Sequence, residues 1–139
     1  MAKIEIAQVN IKYTDLISAE SSIAYSAFIM QPNVYPVHFL ARVKTAFAGA
    51  TKPTVKLGLS GHTAIYISQQ KIDLAGELIP GAGAKISQYA LDGFCTKLNH
   101  PRSEGSLTNV LATFDVPTGD FSALTAGELV LIMIYIKED

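Results

Sequence analysis

Cysteine, tryptophan, charge and long apolar runs are what this chain has little of. Its one cysteine, Cys95, closes no internal disulfide and assembles no thiolate metal cluster. Such sparing use suits synthesis in a reducing cytoplasm. Tryptophan is missing, and with it the broadest platform on which a sugar ring stacks. Charged residues make up 17% of the chain, against a usual ~25%. The net charge is −1 and the basic residues are scattered, as at Lys52, Lys56, Lys97 and Arg102. An electrostatic grip on nucleic acid or an anionic membrane needs clustered Lys and Arg, so neither partner is expected. The longest apolar run, residues 129–136, is far short of the ~20 residues of a membrane helix. The start, Met1-Ala2-Lys3-Ile4-Glu5, reads as an amphipathic strand and not as a secretory signal.

What is present suffices for one domain spanning residues 1–139, with 49% apolar residues. A chain of this size buries roughly two-thirds of its unfolded surface and needs no disulfide or metal to fold. The low charge has two readings. Some surface faces another subunit, or the surface is clothed in Ser, Thr and Gly.

The dominant pattern has period two, as in strands, whose successive side chains point to opposite faces. In residues 37–47, Val37, Phe39, Ala41, Val43, Thr45 and Phe47 point one way, and His38, Leu40, Arg42, Lys44 and Ala46 the other. Near the start, Ile4 and Ile6 alternate with Lys3 and Glu5, while Val9, Ile11 and Tyr13 alternate with Gln8, Asn10 and Lys12. The parity changes between Ile6 and Val9, which predicts a bulge near Ala7. Val55, Leu57 and Leu59, then Ile65 to Ile67, then Val110, Ala112, Phe114 and Val116 continue the pattern, with a weaker strand over 22–30.

Turn chemistry separates these runs at Pro32-Asn33, 49–53, Ser60-Gly61-His62, 81–83, 99–105 and 117–120. Short helices fit only at 16–21 and 84–92. About eight or nine short strands with frequent turns predict an all-β fold, an antiparallel, jelly-roll-like β-sandwich.

The last strand breaks the alternation. Leu129 to Ile136 is apolar on both faces, whereas an antiparallel strand with one wet face should alternate. Either a loop covers its second face, Val130, Ile132, Ile134 and Ile136, or another subunit does.

Reactive chemistry is sparse. His38, His62 and His100 show no metal-ligand spacing. Gly58-Leu59-Ser60-Gly61-His62 fails the esterase elbow, because His62 stands where the final glycine belongs, and it lies between two β runs. The glycines of residues 76–83 match neither a phosphate loop nor a dinucleotide fingerprint. Asp73 with Glu77, and Asp115 with Asp120, are the carboxylate pairs that a groove would have to gather for glycosidase chemistry. Tyr25, Tyr35 and Tyr66 are the platforms available to a carbohydrate-binding module. The expectation is a non-enzyme with no cofactor and no metal.

Three stretches resemble small virion structural proteins of tailed bacteriophages. They are Val43-Lys44-Thr45-Ala46-Phe47, then Gly49 through Gly58 with Ser60-Gly61-His62-Thr63, and finally Leu124-Thr125-Ala126-Gly127-Glu128-Leu129-Val130-Leu131. The segment from Leu98 to Asn109, with Pro101 and Gly105, departs from that pattern. The resemblance implies a β-sandwich of the virion, most specifically a capsid decoration (cement) subunit made in the bacterial host cytoplasm. Neck or tail components are the alternative within it. The implied partners are further copies of the chain, as a trimer or higher homo-oligomer, and the major capsid protein. The contacts are expected at the two apolar termini, through Ile4, Ile6, Val130, Ile132, Ile134 and Ile136.

Overall fold

The computed structural model describes residues 3–18, 21–78 and 107–137. Eight strands make up most of them: β1 (Lys3–Lys12), β2 (Ser22–Met30), β3 (Val34–Ala48), β4 (Thr54–Leu59), β5 (His62–Lys71), β6 (Gly76–Leu78), β7 (Thr108–Asp115) and β8 (Ala126–Lys137). They form two four-stranded sheets, ordered β1-β8-β3-β6 and β2-β7-β4-β5. The pairs β1·β8, β2·β7, β3·β6 and β4·β5 are all antiparallel and nested one inside the next. That nesting is a long hairpin rolled into a sandwich, the wiring of a jelly roll.

The core lies between the sheets. Phe39 of β3 reaches across to Tyr66 of β5, with ring centroids 4.4 Å apart, and to Phe28 of β2 at 6.2 Å. Phe47 of β3 meets Phe114 of β7 at 6.2 Å. Leu129, Leu131 and Met133 of β8 fill the space beside them. These are the inward halves of the alternating strands, so pattern and packing agree. Val37 and Thr45 are the exceptions in β3: pairing with β8 shifts register between Pro36 and His38, and Val37 is half-buried outside the core cluster. Pairing with β8 shifts register between Val43 and Thr45, and Thr45 is exposed.

The segment Gly58 to His62 is a tight hairpin turn joining β4 to β5, with Gly61 at φ +81°. A glycine there takes the left-handed backbone that such turns require. A 3-10 turn at Tyr13–Asp15 stands just before the first expected helix. The second expected helix, 84–92, lies outside the described residues, as do the loops at 81–83 and 99–105.

One local expectation fails. β1 pairs with β8 in unbroken register from Lys3↔Lys137 to Lys12↔Glu128, so there is no bulge near Ala7. The parity change is real but has another meaning. Ile11 faces the core, with Ala7 and Val9 packed against it, whereas Ile4 and Ile6 face outward. The strand keeps its geometry, and its apolar residues change sides.

Candidate interaction face

The outer face of the β1-β8-β3 sheet is built from five cross-strand rows. Register places Ile4 and Tyr35 on either side of Ile136, Ile6 and His38 beside Ile134, and Gln8 and Leu40 beside Ile132. Asn10 and Arg42 flank Val130, and Lys12 and Thr45 flank Glu128. Residues directly opposite in antiparallel strands share a face and touch. The six residues expected to make contacts are therefore gathered on one surface, although more than a hundred positions separate the two termini that supply them.

This surface is divided. Its first three rows hold no Asp, Glu, Lys or Arg. The other two rows, Val130 apart, are polar, and their hydrogen bonds reach back to Gln8 of the third row. Gln8 Nε2 donates to Asn10 Oδ1 at 3.0 Å, and Asn10 Nδ2 donates to Glu128 Oε2 at 2.8 Å. Lys44 Nζ stands 3.8 Å from the same carboxylate oxygen. A long ion pair whose lysine is exposed adds little stability, but it marks where the apolar half ends.

Exposure is uneven across the apolar half. Ile4 is 74% exposed, Ile6 67% and Leu40 46%. Val130, Ile132, Ile134 and Ile136 are half-buried and stand outside both the core cluster and the residues packed on it. Being central, β8 is flanked by side chains of β1 and β3, which screen it. Among the described residues, the edge residues Ile4 and Ile6 have a cross-strand neighbour on one side only. The sequence directs attention to β8, but the water-exposed area is largest on β1. Covering an isoleucine that stands this far out of the core stabilises by roughly 1–2 kcal/mol.

The opposite face of the sandwich is different. The outer positions of β2, β7 and β4 include Ser22, Ala24, Ser26, Thr113 and Lys56. Ile29 of β2 is exposed on this sheet, and Ile17, Leu74 and Leu107 are exposed elsewhere. Isolated apolar residues are ordinary on protein surfaces, whereas a contiguous group marks a contact site.

A cavity of about 430 Å³ opens on the same outer face, toward β6. Leu40, Val130 and Ile132 line it together with His38, Arg42 and Glu77. Glu77 is exposed there, but Asp73 does not line the cavity. Asp120 is occupied as the cap of the 3-10 turn Phe121–Ala123, accepting from Ser122 N at 3.1 Å. The carboxylate pairs considered from sequence are thus not assembled in this cavity. The carbohydrate platforms fail as well, because Tyr66 is wholly buried, Tyr35 is 8% exposed and Tyr25 packs half-buried against the core. The Tyr35 and Tyr66 rings offer no open face to a sugar. Among the described residues no group of three or more His, Cys, Asp or Glu is placed to hold a metal ion, and no helix is long and apolar enough to cross a membrane. Cys95 and His100 lie outside the described residues.

One ionisable group is perturbed by a partner at the sheet edge. Tyr135 Oη donates to Glu5 Oε2 at 2.8 Å. That hydrogen bond, then burial and the carboxylate's charge, raise the phenol above its ordinary pKa, because deprotonation would face an anion.

Compared with known protein families, with curated proteins and with solved structures, the chain matches none.

Proposed function

We propose that this protein is a structural subunit of a multi-copy assembly, namely a virion protein of tailed-phage type, and most specifically a capsid decoration subunit. The observation that carries the reading is the charge-free row of isoleucines across β1 and β8, in register and open to water at Ile4 and Ile6. Such a surface becomes stable when another protein covers it, and symmetry multiplies each modest contact. The jelly roll is compatible with this role, since viral capsid domains use it. Lectins and cupins use it too, so the fold alone assigns nothing.

In this reading the partners are further copies of the chain and the major capsid protein, and the site of action is the virion after synthesis in the host cytoplasm. The phage resemblance of the hairpin and of the closing strand favours a virion over other assemblies. The test is quantitative mass spectrometry of purified particles from the phage that encodes the chain. Stoichiometric copy number on mature capsids is the expected result. Absence from washed particles would overturn the assignment.

A further inference from the structure

Among the described residues the sandwich has four sheet edges, β1 and β6 in one sheet and β2 and β5 in the other. Three carry features that discourage pairing with a foreign strand. β6 covers only three residues, Gly76–Leu78. β2 is bulged against β7 between Ser26 and Phe28. β5 pairs with β4 through two register shifts, between Val55 and Leu57 and between Leu57 and Leu59. β1 differs from all of them. It runs ten residues in unbroken register, contains no proline, and carries Ile4 and Ile6 exposed beside its free edge.

Its guards are charges, Lys12 at one end and a pair at the other. Lys3 and Glu5 share the inner side of β1, two residues apart and opposite in sign. Inward charges on an edge repel strands that cannot answer them. An antiparallel copy of the same strand answers both.

We infer that the free edge of β1 pairs antiparallel with β1 of a second copy of this chain, in the register that sets the two Ile4 residues opposite each other. The inference rests on the assembly reading above and names its first contact. In this register Lys3 faces the partner's Glu5, and Glu5 faces the partner's Lys3. On the outer side the row Tyr35, Ile136, Ile4 continues without a break into its two-fold copy. The two four-stranded sheets become one of eight strands, and the two outer faces join through their Ile4 rows. Main-chain hydrogen bonds supply affinity in such strand addition, and the side chains fix the register. The contact is two-fold and isologous, so the assembled species has an even copy number.

Sedimentation equilibrium on the full chain tests this with two variants. Lys3 is exposed, so Lys3→Glu leaves the monomer fold intact, which a melting curve verifies. It sets two like-charge pairs across the contact and should raise the dimer dissociation constant on the order of tenfold. The charge swap Lys3→Glu with Glu5→Lys, made and compared in a Tyr135→Phe background because Glu5 otherwise accepts the Tyr135 hydrogen bond, should restore most of that loss, which a merely structural role for either residue would not do. A wild type that assembles while ignoring both variants, or that forms a strict cyclic trimer, overturns the β1 contact and leaves the assembly reading standing. A wild type that stays monomeric and is absent from particles overturns both.

Discussion

Gly127 lies against the ring of Phe47, so close that a Cβ at position 127 would overlap the aromatic carbons. Its φ of +146° is also one that side-chain-bearing residues rarely adopt. Phe47 in turn packs on Phe114 of the other sheet. The start of β8, one end of the core and the contact between the sheets are therefore fixed at one place.

Gly127→Ala should destabilise the fold by on the order of 2–4 kcal/mol, through overpacking and backbone strain together. Urea unfolding measures it. A midpoint equal to wild type would show that Phe47 moves freely aside and that this junction does not anchor β8.

Ile6→Asp and Ile134→Asp should separate assembly from folding. Ile6 is largely exposed, so a carboxylate there stays hydrated and the melting temperature should hold while the assembled species is lost. Ile134 is half-buried between β1 and β3, so Ile134→Asp should lower both. Lys56→Asp, on the other sheet, should leave assembly unchanged. Light scattering beside a melting curve reads all three. Equal effects of Ile6→Asp and Lys56→Asp would show that the outer apolar face plays no part.

The Tyr135–Glu5 hydrogen bond gives an alkaline signature. The folded phenol holds its proton to a higher pH than the unfolded one, whose pKa is about 10. Its contribution is fully present below that value and is lost as pH rises through the raised folded value. Tyr135→Phe should remove this part of the alkaline fall in stability. The fall is measured by denaturant titrations at pH values on both sides of 10. An unchanged alkaline slope in the variant would contradict the assignment.

Asp120 caps the 3-10 turn that carries the fully buried core residue Phe121. Asp120→Ala should cost about 1 kcal/mol, and Phe121→Ala about 3–5 kcal/mol. Thermal unfolding distinguishes them. A cap variant as damaging as the Phe121 variant would mean that the turn depends on Asp120 more than on the core.

Much of the sandwich is legible as period-two patterning, because Phe39, Ala41, Val43, Val110, Ala112 and Phe114 alternate as a one-sided core requires. The parity switch of β1 is visible in the sequence as well, but its physical meaning is ambiguous. A bulge and a change of side produce the same letters, and only the unbroken register with β8 decides between them. The apolar second face of β8 is likewise readable. Its division into an isoleucine half and a Gln8–Asn10–Glu128 half is not, because the division depends on which residues of β1 stand beside it. β6 has only three residues, too few to show a period. The Tyr35 and Tyr66 rings read as surface platforms only while strand neighbours are unknown.

In the proposed assembly the outer face of the β1-β8-β3 sheet becomes buried when copies meet. Carbene footprinting of the intact protein across a dilution series measures this most directly. Ile4, Ile6 and Leu40 should be shielded at high concentration and labelled on dilution, while Ile29 on the other sheet is labelled throughout. Equal labelling of Ile4, Ile6 and Leu40 at every concentration would contradict it.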